Sequence, residues 1–283
     1  MPGSPSTALK GWAISTQRVG TGRPGRVDHT YVTSDCGYVW RCFGRNRGGA
    51  QVCADIGDSH IANCLATPSE TAGIIYGVTG VCHQAANRIL FPANCAKISG
   101  ARGYNVSLVV YGPYGNLPWA ELTLCYPRTS TIHGAGPTPS GMSLARADGV
   151  PARGSPSPRS PMESDVFETE MSRRIQDLRD LVHAHPAAGI DGDRFERLVQ
   201  VQTLFWSRKD ALAVEMAQGT IDPDDYLERF NAALAESMDR SRAAIGSRAF
   251  AELFGEAGEH PEDLVDPDIF EEVHGPQHAA RLF

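Results

Sequence analysis

Of the residues that could do chemistry, Cys82 stands in the most suggestive context, within the run GVCHQAANRIL. A thiol attacks a carbonyl as its thiolate, so a nucleophilic cysteine needs surroundings that lower its pKa. The spacing of Cys82, Ala85, Ala86, Ile89 and Leu90 predicts a helix that starts at the thiol and is stopped by Pro92. The unpaired N–H groups and the dipole at a helix N-terminus favour a thiolate there. Gly80, just before, permits a close approach of backbone to a substrate carbonyl. The N–H of Cys82, with the side chain of Gln84, is a candidate donor to an oxyanion. Asn87, more than a turn beyond, is expected to tie down neighbouring backbone. The bland reading of Cys82 is a small, inert, buried thiol at a helix start.

A nucleophilic cysteine needs a base, usually a histidine held by a third polar group. The chain has nine histidines. His83 follows Cys82 directly, but neighbours on a helix diverge by about 100°, so it is expected to line the site and not to act as the base. His133 sits at the edge of a Gly/Pro-rich stretch, and His183, His185, His260, His274 and His278 fall in the C-terminal part. His29 opens a strand in VDHTYVTSD, a rigid mount suited to a base, and is the first choice. His60, in DIGDSHIANC, is the second. Tyr31 and Trp40, with Trp12 and Tyr76, are candidates to line a substrate groove.

Two other constellations compete. Cys36, Cys42, Cys53, His60, Cys64 and Cys95 are enough nitrogen and sulfur ligands for zinc, but no pair has the C-x2-C spacing of a knuckle. No metal or other cofactor is therefore expected. Arg45-Asn46-Arg47-Gly48-Gly49 is a basic, Gly-rich stretch suited to holding a carboxylate or phosphate. It lacks the Gly-Lys-Ser/Thr ending of a nucleotide loop, and a solvated loop is the competing reading.

The elements that must position these residues read as α+β. GWAIS, HTYVTSD and YVWRCFG are strand-like, the last two around a turn near Asp35–Gly37. Residues 44–65 read as loop with a short helix. After the Cys82 helix, NVSLVVYG and WAELTLCY read as two further strands. The expected architecture is a small antiparallel sheet packed on the Cys-bearing helix over residues 8–130. A flexible Gly/Pro/Ser linker follows over 134–162, then an all-α hairpin or bundle over 163–256. In that bundle Phe167, Met171, Ile175, Leu178 and Val182 recur at helical spacing. Asp222 and Pro223 mark a helix start, and a short last helix is expected to end at Gly255. An acidic tail over 257–283 is expected to be loosely held.

The net charge of −7 divides into +5 for residues 1–130 and −12 for the remainder. That is too weak a basic surplus for nucleic acid. The start has no apolar core of a secretory signal, and no segment approaches the roughly 20 apolar residues of a membrane span. The seven cysteines are an odd number, which argues against a closed disulfide framework. A cytoplasmic protein with reduced thiols is expected, with no membrane or nucleic-acid partner.

The stretch HTYVTSDCGYVWRCFG, with the Cys82 helix after it, resembles the circularly permuted members of the papain-like, NlpC-type amidases, in which the His strand precedes the Cys helix. The resemblance covers roughly residues 10–127. It implies a thiol hydrolase, peptidase, amidase or acyltransferase in which Cys82 attacks an amide or ester and His29 transfers the proton. Trp40–Arg41–Cys42 stands where the family has its third polar residue, so Asn46, just beyond, is the candidate for that role, with Asp35 and Asp28 as alternatives. The expected partner is a peptide or a small acyl or amide substrate, with a protein partner or self-association through the helical part. The alternative is a non-catalytic binding protein with a structural N-terminal scaffold and a helical docking module.

Overall fold

The computed structural model describes residues 6–17, 24–66, 71–93, 97–116 and 161–275, with only the backbone described at 17, 24 and 161–169. The fold is α+β. Four antiparallel strands come first: β1 Ser6–Gln17, β2 Pro24–Ser34, β3 Val39–Trp40 and β4 Ala50–Asp58, in the order β3-β2-β1-β4. The hairpin between β2 and β3 turns at Gly37 (φ 98°) and is closed by a bond from Ser34 N to Tyr38 O. Strand β1 is longer than the expected GWAIS. Strand β4 replaces much of the loop expected over residues 44–65, and α1 (Ser59–Ala66) follows it.

Side chains alternate across the sheet. Leu9, Gly11 and Ala13 of β1 stand opposite Ser34, Val32 and Thr30 of β2 and form the inner face. Trp12 and Tyr31 are paired on the outer face, their rings stacked 6.1 Å apart. Residues 41–49 cross that outer face, where the Tyr31 hydroxyl donates to Gly48 O at 2.9 Å.

Helix α2, Cys82–Leu90, lies against the inner face, and all nine of its residues are buried. Its apolar stripe is the predicted one. Its polar side chains are buried because each is hydrogen-bonded to backbone groups of neighbouring segments. Asn87 donates to Pro113 O at 2.7 Å and accepts from Ile98 N at 2.7 Å, the tethering role expected of it. Arg88 donates to Tyr114 O and to Ala72 O.

The run NVSLVVYG, expected as a strand, is helical: α3 spans Tyr104–Tyr111 between Gly103 (φ 78°) and Gly112 (φ 70°). A short apolar run does not distinguish a buried strand from a buried helix by periodicity. Here the two left-handed glycines bound it. The strand expected over residues 119–126 and nearly all of the expected linker lie outside the described residues.

The C-terminal helices are α4 Pro161–Ala184, α5 Gly192–Ala217, α6 Pro223–Ile245, α7 Ser247–Glu259 and α8 Pro267–His274. Asp222 caps α6 as expected, accepting from Asp225 N at 2.8 Å. Helix α7 breaks at Gly255 (φ 55°) but runs on to Glu259. One apolar cluster joins Val106, Val109 and Tyr111 to Trp206, Phe230, Phe250 and Phe270. Trp206 Nε1 donates to Val109 O at 2.7 Å, and Asn105 Nδ2 to Leu253 O at 2.7 Å. The helical part thus shares a core with the Cys-bearing part.

The expected loose tail is corrected as far as Gly275. Asp266 caps α8 and Phe270 is buried. Tyr76 is held from both ends of that helix: its hydroxyl accepts from Asp266 N at 3.0 Å and its carbonyl from His274 Nε2 at 2.9 Å. Among the described residues no helix is long and apolar enough to cross a membrane.

Candidate functional site

The site forms where a strand edge is left unpaired. Strand β3 pairs only with Val32 and Thr33 of β2. The outward backbone groups of Asp28 and Thr30 therefore have no strand partner, and buried backbone must be satisfied in another way. Asp28 N donates to Arg102 O at 3.0 Å. Asp28 O accepts from His83 Nε2 at 2.9 Å and lies 3.9 Å from the Cys82 thiol. Thr30 lies beside the same sulfur. The first turn of α2 thus occupies the place of a missing strand and brings Cys82 to the flank of His29.

The His29 imidazole lies beside the Cys82 thiol, near enough for each group to shift the other. Its Nε2 lies 2.9 Å from Arg45 O. A carbonyl only accepts, so Nε2 carries the proton and Nδ1 is the basic nitrogen. A Cβ on Gly44 would lie 2.7 Å from the ring, so the bare backbone of Gly44 closes the slot in which the imidazole sits.

Each member of the pair shifts the other. Burial alone would lower the pKa of His29. The Cys82 thiol, with the carbonyls of Arg45 and Arg41, outweighs it and raises the value above the ordinary one. Burial alone would raise that of Cys82, but His29 and then Thr30 outweigh it, and the thiol is held below its usual range. The helix N-terminus acts in the same direction. Val81 O accepts from Gln84 N and Ala85 N. The N–H groups of Cys82 and His83 therefore have no intrahelical partner.

The pair is covered. Cys82 is 5% exposed and His29 8%. The cover is residues 41–49, and it is held in a costly shape. Cys42 (φ 51°) and Phe43 (φ 80°) both take left-handed backbone, at roughly 1 kcal/mol or more each. Cys42 is fully buried and the Phe43 ring packs on Tyr76, centroids 5.0 Å apart, which holds that shape in place. An aromatic pair contributes about 0.5–1.5 kcal/mol beyond its buried area. Phe43→Ala should therefore speed labelling of Cys82 by a bulky maleimide up to about tenfold, and by iodoacetamide much less. Equal acceleration of both reagents would show that the loop does not restrict access.

Several expected site residues have other work. Gln84 is corrected as an oxyanion donor. Its Oε1 accepts from Val81 N at 3.1 Å and its Nε2 donates to Gly112 O at 3.0 Å and Ser107 O at 3.2 Å, so its polar atoms are engaged inside the protein. His83 is sealed between Asp28 O and the Ser107 hydroxyl, and burial lowers its pKa to about 4. It pins the edge of β2 as a neutral imidazole and does not line an open site. Gly80 meets the side chains of Gln84 and Ile74, which leave no room for a Cβ. Trp40 is buried, stacked on Tyr38 and bonded to Asn63, and Tyr31 is buried against Trp12. Tyr76 is core between the sheet part and α8, and none of these three lines an open groove.

The orienting role expected of Asn46 falls to the neighbouring carbonyl of Arg45. The alternatives are also occupied: Asp28 binds Arg102 and Asp35 binds Lys10. His60 is exposed at the start of α1. The described residues contain no group of three or more His, Cys, Asp or Glu placed to hold a metal ion, and Cys95 lies outside them. Cys42 instead faces Trp40 O, and Cys36 faces the hydroxyls of Ser34 and Ser59.

The residues missed by sequence reasoning are Thr30, Ser107, Gly44 and the Arg45 carbonyl. Thr30 could have been suggested by adjacency to His29, whereas a backbone carbonyl leaves no mark in residue type. No family model, curated protein or solved structure matches this chain.

Proposed function

We propose that this protein is a thiol-dependent amide or ester hydrolase, or acyltransferase, acting through Cys82 and His29. The observation that carries the reading is a helix-N-terminal thiol beside an imidazole whose Nε2 donates to a backbone carbonyl. A cysteine so placed has the lowered pKa and the positioned base that covalent catalysis requires.

The Cys82 sulfur attacks the substrate carbonyl carbon, forming a C–S bond as the carbonyl electrons move to oxygen. The N–H groups of Cys82 and His83 bind that oxyanion. His29, protonated at Nδ1, gives its proton to the leaving amine or alcohol as the C–N or C–O bond breaks. Water or an acceptor amine then attacks the thioester while Nδ1 takes its proton, and the thiolate is released. The acceptor that reaches the thioester decides between hydrolysis and transfer. The order of His29 strand and Cys82 helix agrees with the NlpC-type resemblance.

The competing reading is a non-catalytic binding protein, favoured by the burial of the pair. Incubation with p-nitrophenyl acetate separates the two. The expected result is a burst of nitrophenolate, an acetyl group mapped by mass spectrometry to Cys82, and turnover lost in Cys82→Ser and in His29→Ala. Acetyl groups confined to the exposed Cys36 and Cys64, with an unchanged rate in Cys82→Ser, would overturn the enzymatic reading.

A further inference from the structure

The cover over the pair has a charge of its own. Residues 36–54 contain Arg41, Arg45 and Arg47 and no Asp or Glu. This stretch is fixed to the base itself, through the 2.9 Å contact of Arg45 O with His29 Nε2 and through Gly44 against the ring. Arg45 and Arg47 are exposed, and neither makes an ion pair with another of the described residues. The acidic side chain beside the site does not offset them. Asp28 is bound by Arg102, with Nε to Oδ1 at 2.9 Å, N to Oδ2 at 2.9 Å and a 2.7 Å ion pair from Nη2. The segment that covers His29 and Cys82 therefore presents positive charge to solvent as planar guanidinium groups, which pair with carboxylate and phosphate.

We infer that Arg45 and Arg47 make this site selective for substrates bearing an anionic group, such as an acidic side chain or a free carboxylate, close to the bond that is attacked. The inference rests on the proposed role of Cys82 and adds the substrate class. Three arginines are too few for a nucleic-acid surface, and a single carboxylate suits two exposed guanidinium groups. Because Arg45 acts on His29 through its carbonyl, side-chain replacement leaves that hydrogen-bonding group in the chain.

The test compares two small alkylating reagents of similar shape, anionic iodoacetate and neutral iodoacetamide, with adduct formation at Cys82 followed by mass spectrometry. The ratio of the two rates cancels any change in the intrinsic reactivity of the thiol. In Arg45→Gln/Arg47→Gln the iodoacetate-to-iodoacetamide ratio should fall roughly three- to tenfold, the effect of two exposed ion pairs. In the unsubstituted protein it should also fall as salt rises from about 0.01 M to about 0.15 M, because the Debye length shrinks from about 30 Å to about 8 Å. The ratio at exposed Cys36 should be the same in both proteins. A Cys82 ratio that is equal in both proteins, with Cys82 itself reacting fast, overturns the anionic selectivity alone. A Cys82 that reacts with neither reagent while Cys36 is consumed overturns the hydrolase reading, and this inference with it.

Discussion

Replacing His29 with Gln should slow alkylation of Cys82 by iodoacetamide at neutral pH by roughly 10²–10³-fold, within the range that a positioned acid–base group contributes. Burial by itself pushes this thiol up, and His29 is the largest opposing influence. Glutamine keeps a hydrogen-bond donor and loses the charge. The sign follows directly. In the unsubstituted protein the Cys82 pKa lies below its ordinary value and that of His29 above its own, so the thiolate–imidazolium form is favoured more than it would be for the two groups apart. The rising limb of the pH–rate profile therefore lies at lower pH than for a free thiol. In His29→Gln the same limb should move above the ordinary thiol range, and the two proteins should converge only in alkaline solution. Cys36 provides the internal reference. Its pKa is also lowered, by the hydroxyls of Ser34 and Ser59, and it is exposed, so it too will alkylate readily. Its profile should not move in His29→Gln. A Cys82 profile equally indifferent to the substitution would remove the dyad.

Trp206→Ala should cost about 3–5 kcal/mol for the truncated ring. Leaving the Val109 carbonyl without its donor should add about 1–3 kcal/mol. Against a typical total of 5–15 kcal/mol, that is enough to unfold much of the population. Trp206 is buried at the joint between α5 and α3 and donates to Val109 O at 2.7 Å. The same joint holds Lys209, buried 3.1 Å from Asp210 with its ammonium over the Tyr111 ring, and Arg174, which binds the other Asp210 oxygen at 2.9 Å. Loss of the Trp206 anchor therefore reaches α3, on which Ser107 and Gly112 hold α2 through Gln84. In urea, far-UV circular dichroism and the exposure of Cys82 to a thiol reagent should report one coincident transition, at lower urea in the variant. Helical signal lost while Cys82 stays protected would show two independent units and sink the common-core interpretation.

The legible parts of this protein were those governed by local periodicity. The stripe Cys82, Ala85, Ala86, Ile89 and Leu90 carries one face of a helix and Pro92 ends it, because both follow from backbone geometry within a dozen residues. The Asp222–Pro223 start of α6 is read the same way. The strand of His29 and its turn at Gly37 needed only alternation and a glycine. The run NVSLVVYG was not legible. Its β-branched content favours a strand, while its environment between α2 and the C-terminal helices buries it as a helix, and only the bounding glycines hinted at this. Strand β4 was obscured by its small, half-exposed residues. The acidic, Pro-containing segment after residue 256 concealed α8, whose order comes from Phe270 and from contacts with Tyr76, nearly two hundred positions earlier.

The amino-acid sequence by itself determined that a thiol would stand at a helix N-terminus and that a histidine would precede it on a strand, since both are consequences of residue spacing. The tertiary structure decided that the two meet. The two-residue β3 leaves the edge of β2 unpaired, and buried backbone must find partners, so the first turn of α2 docks there. It also decided that the Arg45 carbonyl and not Asn46 orients the ring, that Gln84 and His83 are consumed in holding backbone, and that a strained loop covers the pair. Each of these depends on where main-chain groups far apart in sequence come to lie, and residue type does not record that.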